Sequence, residues 1–215
     1  MSGIMLNMVA RTLVAPVPVI GSAFGGGFFA GQISTAGNGI ADYNLVIGPA
    51  SSADTLKIWK NANSDTVGAD SDFDGAANTA NIVADGNSTV YPAAHFCNDL
   101  VIGGFSDWYM PSKNELEICY FNLKPTTTSN NTSRGTNANA VPARASNYTA
   151  GTPAQTSSTD FQSTGAEDFA LDYYWTSSQS AASKAWLQTF NDGGQDSDTP
   201  KNNTFHVRAI RKVAV

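Results

Sequence analysis

Residues 103–123 constrain the fold more tightly than any other stretch, because an aromatic-rich turn, Gly103-Gly104-Phe105-Ser106-Asp107-Trp108-Tyr109-Met110, runs through Pro111 into a helix start. Ser112 and Glu115 have capping-box spacing, in which each side chain satisfies a backbone donor at the helix entrance. Leu116, Cys119, Tyr120 and Leu123 then form one buried face. A second helix is predicted from Pro92, a residue suited to the first helical position, with Ala93, Phe96, Cys97 and Leu100 on one apolar stripe. Two amphipathic helices of this kind need a sheet to pack on.

The sheet has candidates at both ends of the chain. Residues 28–33 and 43–47 read as a hairpin around the turn-rich Gly37-Asn38-Gly39. Residues 173–176, 185–190 and 204–213 are strand-like, Asn191-Asp192-Gly193-Gly194 offers a reversal, and the terminal sheet is expected to be antiparallel. Between them, residues 124–166 are rich in Thr, Asn, Ser and Ala with few large apolar anchors, which predicts a long loop that is functional or partly disordered. Residues 1–20 are apolar, but Arg11 interrupts the run and Pro16 and Pro18 break it. They are therefore expected to form an extended N-terminal attachment arm rather than a cleaved signal, ahead of one binding domain over 21–215.

With 12 Lys and Arg against 18 Asp and Glu, the net charge of −6 offers no positive field for a phosphate backbone, so no nucleic-acid partner is expected. Only 14% of residues are charged, and a surface built from Asn, Ser, Thr and Gln suits hydrogen bonding to polyols. No apolar run approaches the roughly 18 residues of a membrane span, so no membrane insertion is expected. Cys97 and Cys119 each fall on an apolar helical stripe, as buried inert thiols or as a disulfide tying the helices together.

The turn-plus-helix segment, with Tyr173-Tyr174-Trp175-Thr176-Ser177-Ser178 and the closing Val207-Arg208-Ala209-Ile210-Arg211, resembles the C-type-lectin-like domain of phage tail proteins and bacterial surface adhesins. A glycine-rich opening at 25–31 and the segment Asp74-Gly75-Ala76-Ala77-Asn78-Thr79-Ala80 match as well. The resemblance implies an α+β, C-type-lectin-like fold in which two helices flank a twisted antiparallel sheet, with long loop insertions on one side. Some members are diversified near the C-terminal end. The same fold class includes formylglycine-generating enzymes, which use a cysteine pair, and iron-dependent sulfoxide synthases, which use several histidines; this chain has only His95 and His206.

Sites of chemistry are sparse. Asp70, Asp72 and Asp74 followed by Gly75 begin like a calcium loop, but its twelfth position is Asn81 rather than a bidentate Glu, and a solvated acidic turn is the preferred reading. The calcium motifs of sugar-binding animal lectins are absent, and no cofactor is expected. Ser177 or Ser178 with His206 and Asp192 would make a hydrolytic set, but no sequence feature brings them together. Trp108, Trp175 and Trp186 are expected to fill the core rather than to stack on sugars, with Trp59 open. Arg208 and Arg211 are expected in structural ion pairs, with Asp107 a candidate partner.

The candidate ligand-binding residues are Gln179, Ser180, Ser183, Thr189, Asn191, Gln195, Asp196, Asp198, Asn202, Asn203 and His206, in the terminal loops and on the outer face of the last sheet. The resulting expectation is a non-enzymatic receptor-binding protein, a phage tail-tip or tail-fibre component of the virion that recognises a bacterial cell-surface glycan or protein. It would contact other tail proteins through its N-terminal arm and assemble as a homo-oligomer such as a trimer. The alternatives are a secreted adhesin, extracellular or on the bacterial surface, and a formylglycine-generating-type oxidase on the same fold.

Overall fold

The computed structural model describes residues 16–215, so fifteen residues of the expected arm lie outside the described residues. The architecture is α+β, with four α-helices and two curled five-stranded sheets among the described residues. The first sheet runs β1 (Ala23–Phe24), β2 (Gly27–Ile33), β3 (Tyr43–Ile47) and β10 (Ile210–Ala214), with β5 (Ala140–Val141) paired to β2. The second runs β4 (Asp54–Ile58), β9 (Thr204–Arg208), β6 (Tyr173–Ala181), β7 (Lys184–Thr189) and β8 (Gln195–Pro200). The expected hairpin is the β2–β3 pair, with a register shift between Phe29 and Gly31.

The last strand differs from expectation, because 204–213 is not one strand but two that belong to different sheets. β10 pairs with β3 and β9 with β4, so the closing segment faces 43–58 almost throughout. The interruption is α1 (Ala50–Ala53), which lets 48–53 loop out against the single residue Ala209. Ala209 holds both sides of that excursion: it accepts from Gly48 N–H and donates to Ala53 O, each at 2.9 Å. An excursion of this size acts as an enlarged bulge and bends one ladder into two layers. The terminal sheet is also not wholly antiparallel, since β6 meets β9 in a parallel bridge at Tyr174 and His206, whose rings stack with centroids 4.9 Å apart.

α4 (Lys113–Leu123) has its complete capping box, with Ser112 Oγ accepting from Glu115 N–H at 3.4 Å and Glu115 Oε2 accepting from Ser112 N–H at 2.8 Å. α3 (Pro92–Asn98) carries proline at its start, as expected. α2 (Gly75–Asp85) is additional. Its buried face includes Asn78 and Thr79, so its sequence lacks an apolar period; Asp74 caps it by accepting from Ala77 N–H at 3.1 Å. No helix among the described residues is long and apolar enough to cross a membrane.

Two core clusters fill the layers. One gathers Leu45, Ile47, Leu116, Tyr120, Phe169 and Phe190; the other gathers Trp59, Tyr91, Trp108, Trp175 and Val207. Cys119 lies in the first and Cys97 in the second, both buried and unpaired, which removes the disulfide alternative. Burial pushes both thiols up from the ordinary range. Trp108 and Trp175 are buried as expected, and Trp59 joins them, its indole donating to Thr176 O at 2.8 Å. Trp186 departs from expectation: it is half-buried at the surface, with the Lys113 ammonium 4.4 Å from its ring centroid.

The long loop over 124–166 is anchored by polar groups instead of apolar ones. Asn130, Asn137 and Asn139 are buried, and their amides donate to loop or neighbouring backbone carbonyls. Lys124 is buried too, and its ammonium bonds the carbonyls of Thr128 and Pro153. Side-chain amides can replace the backbone ladder that the loop lacks, because each supplies both donors and an acceptor.

Candidate functional site

The eleven expected ligand-binding residues separate into three places. His206 is in structural use: its Nδ1 lies 2.8 Å from Asp54 Oδ1, while Asp54 Oδ2 accepts from Tyr174 O–H at 2.9 Å. The hydrogen bond to Asp54 holds the imidazole above its ordinary value of 6.5, against the opposing effect of burial. A histidine raised on folding gives stability that is full below the unfolded value and is lost as pH rises through the folded value. The unfolding free energy should therefore fall from pH 6.5 upward, and His206→Gln should flatten that slope in urea titrations at stepped pH; an unchanged slope would show that the pair is not coupled to folding.

The second place is the β6–β7 turn and the end of β8. Gln179 Oε1 accepts from Thr66 N–H at 2.9 Å and from the buried Lys201 ammonium, and its amide donates to Asp65 at 2.7 Å. Ser180 Oγ donates to Ser197 O, and Lys184 bonds Asp198 O at 3.0 Å. Ser183 is half-buried nearby in the chain, whereas Asn202 and Asn203 are exposed. Asn202 joins Asn63 through a 3.2 Å amide bond. Gln179 and Asn202 are thus tied to the loop at 61–68, and Ser180 and Asp198 to groups of β7 and β8.

The third place is a cleft of about 380 Å³ that brings together Thr189, Asn191, Gln195 and Asp196 with Tyr173, Leu187, Asp192, Gly194 and Asn131. Strand register builds it. Tyr173 on β6 stands opposite Thr189 on β7, and Leu187 stands opposite Asp196 on β8. Buried Leu187 is part of the lining, and Tyr173 is 45% exposed with its ring tilted against Phe205 at 5.1 Å.

The reversal after β7 is pinned. Gly193 has φ +78°, and a Cβ there would lie 2.3 Å from the Tyr120 ring, so only glycine lets the turn approach the core. Asp192 Oδ1 accepts from Gly194 N–H at 2.9 Å, and Asp192 O accepts from Asn131 N–H at 2.8 Å, which joins the long loop to the rim. The Asp198 backbone N–H and the Thr199 hydroxyl hold the Asp196 carboxyl below the usual range, so it is an ionised acceptor at neutral pH. The cleft thus offers one aromatic face beside carboxylate, amide and hydroxyl groups. Asn131 lies far from the strands in sequence and carried no signal of its role.

The other candidates are held in the framework. Ser178 Oγ donates to Ser71 O at 2.7 Å and accepts from Lys113 N–H, and Ser177 Oγ accepts from Asn78, both away from the His206–Asp54 pair. Asp72 pairs with Lys113 at 2.9 Å and Asp74 with Lys212 at 3.0 Å, and the described residues contain no group of three or more His, Cys, Asp or Glu arranged to hold a metal ion. Arg211 makes the expected pair with Asp107, bidentate at 2.7 and 2.8 Å, whereas Arg208 pairs with Glu167.

A family model described as the Lcl C-terminal domain matches residues 53–211, a span that includes the whole cleft. No curated protein and no solved structure matches the chain.

Proposed function

The chain belongs to the Lcl C-terminal domain family, a C-type-lectin-like family, and from that membership we propose that it is a non-catalytic recognition domain whose cleft binds a neutral glycan of a bacterial surface. The convergence of Thr189, Asn191, Gln195 and Asp196 beside the exposed Tyr173 ring carries the reading. An aromatic ring packs on the apolar face of a pyranose, while a carboxylate and amides accept from and donate to neighbouring hydroxyls. Asp192 and Asp196 line the same cleft and disfavour an acidic sugar, in keeping with the net charge of −6.

The proposal includes a C-type-lectin-like fold, with which the two curled sheets and four helices are compatible. It also includes display on a phage tail tip or fibre as a homo-oligomer such as a trimer, in which several weak sites gain avidity through effective concentration. Contact with other tail proteins would run through the arm at 1–20.

Glycan-array screening followed by titration calorimetry tests the binding. Tyr173→Ala and Asp196→Ala should each weaken the best neutral glycan about tenfold, equivalent to ~1.4 kcal/mol, while both variants stay folded at the assay temperature. Unchanged affinity in both variants would place recognition elsewhere. Labelled electron microscopy tests the location: distal tail labelling supports the phage reading, and export to the cell surface replaces it with the adhesin.

A further inference from the structure

A second pocket, of about 290 Å³, lies between α4 and the long loop and shares no lining residue with the cleft. Phe121, Arg144 and Tyr148 line it, together with Ser146, Asn147 and Thr149. Its wall is a buried polar network. Glu117, 1% exposed, bonds Arg144 Nη2, the Tyr148 hydroxyl and the Asn137 amide. The central carbon of the Arg144 guanidinium lies over the Phe121 ring, 4.0 Å from its centroid, and the Tyr148 ring stands 6.3 Å from that of Phe121 at an interplanar angle of 35°.

The loop that forms the rim is fixed before any ligand arrives. Asn130 Nδ2 holds Thr149 O at 3.0 Å and Ala150 O at 3.2 Å, and Tyr148 N–H donates to Arg134 O at 2.7 Å. Among the described residues only Nη2 of the Arg144 guanidinium has a side-chain partner; the partnerless Nε is itself enclosed, and Nη1 is the donor left for the pocket. A fork of that kind, with donor capacity left over, asks for one further acceptor.

We propose that this pocket binds a single N-acetylhexosamine, with the acetamido methyl against Phe121 and Tyr148 and the acetamido carbonyl accepting from the Arg144 fork. Two features select that class. Glu117 already balances the Arg144 charge, so an acidic sugar gains no net attraction here. An unsubstituted hexose has no methyl to cover the two rings, whereas an acetamido group brings a methyl and an acceptor in one substituent. Ser146, Asn147 and Thr149 then supply amide and hydroxyl groups for the ring hydroxyls. The site stands independently of the cleft.

Titrations of ¹⁵N-labelled protein with N-acetylglucosamine, N-acetylgalactosamine, glucose and galactose test the assignment. The acetamido sugars should give saturable shifts in the backbone amides of 145–149, with a Kd about tenfold below that of the parent hexoses, the range expected for one apolar group in a fitted pocket. Ser146→Trp, at an exposed position, should block the mouth and abolish the shifts. Asn147→Arg gives an independent block should the indole disturb the loop, with thermal unfolding as the folding check for both. Tyr173→Ala should leave the shifts intact, which keeps this site distinguishable from the cleft. Equal affinity for glucose and N-acetylglucosamine, shifts that survive both blocking variants, or shifts confined to 189–196 would overturn it.

Discussion

Arg208→Ala should lower the unfolding free energy by ~3–5 kcal/mol, the cost of removing one partner of a buried charged pair. The guanidinium is fully buried, and each nitrogen has a partner: Nε donates to Gly48 O at 2.9 Å, Nη1 to Glu167 O at 2.9 Å and Asp168 O at 3.2 Å, and Nη2 to Glu167 Oε2 at 2.9 Å. Phe169 and Phe161 lie near it, with ring centroids 4.7 and 5.6 Å from its central carbon. Burial lowers its pKa, yet arginine starts high enough to stay charged at neutral pH. Truncation strands the Glu167 carboxylate, which also accepts from Ala50 N–H at 2.7 Å, along with three carbonyls. Arg208→Lys should recover less than half of the loss, because one ammonium cannot reproduce a planar fork. Urea unfolding measures both, and a loss below about 1 kcal/mol for Arg208→Ala would mean that this arginine does not fasten 167–169 to β9 and α1.

Asn130→Ala should cost ~2–4 kcal/mol and loosen the long loop selectively, since several buried groups lose partners at once. Its Nδ2 serves Thr149 O, Ala150 O and Pro153 O within 3.2 Å, and its Oδ1 accepts from Tyr120 O–H at 2.7 Å. Asn130→Asp is the sharper variant. It keeps the acceptor for Tyr120 but turns a second oxygen toward three carbonyls, so it should destabilise at least as much despite near-identical shape. Hydrogen exchange should rise over 144–153 while the amides of α4 change little. Uniform loss of protection, or none, would show that the loop is held by something other than this amide.

Local signals in the sequence translated directly into structure. The capping box at Ser112 and Glu115, the proline entry of α3 and the β2–β3 hairpin depend on residues a few positions apart, and all three formed. α2 was illegible because its buried face is partly polar: Asn78 donates to Ser71 O at 2.7 Å, and Thr79 accepts from Met110 N–H at 3.1 Å. The division of 204–213 at Ala209 depends on Gly48 and Ala53, more than 150 residues earlier, and no local pattern announces it.

The candidate site shows the same boundary. Thr189, Asn191, Gln195 and Asp196 surround one turn, so their proximity in sequence carries over to one cleft. Gln179 and His206 offer the same polar chemistry, but Asp65 and Asp54, 114 and 152 positions away, hold them in the framework. Trp186 and Trp175 look alike in sequence, yet one is half-buried beneath Lys113 and the other is fully enclosed.

The amide scaffolding of 124–166 decides where this protein can change. Asn130, Asn137 and Asn139 hold the path from inside, while Thr132 and Thr136 are exposed and stand outside both the amide scaffold and the N-acetylhexosamine pocket. Mutational tolerance is thereby concentrated at the outward positions, so a lineage can exchange the chemistry it presents there while inheriting the same loop.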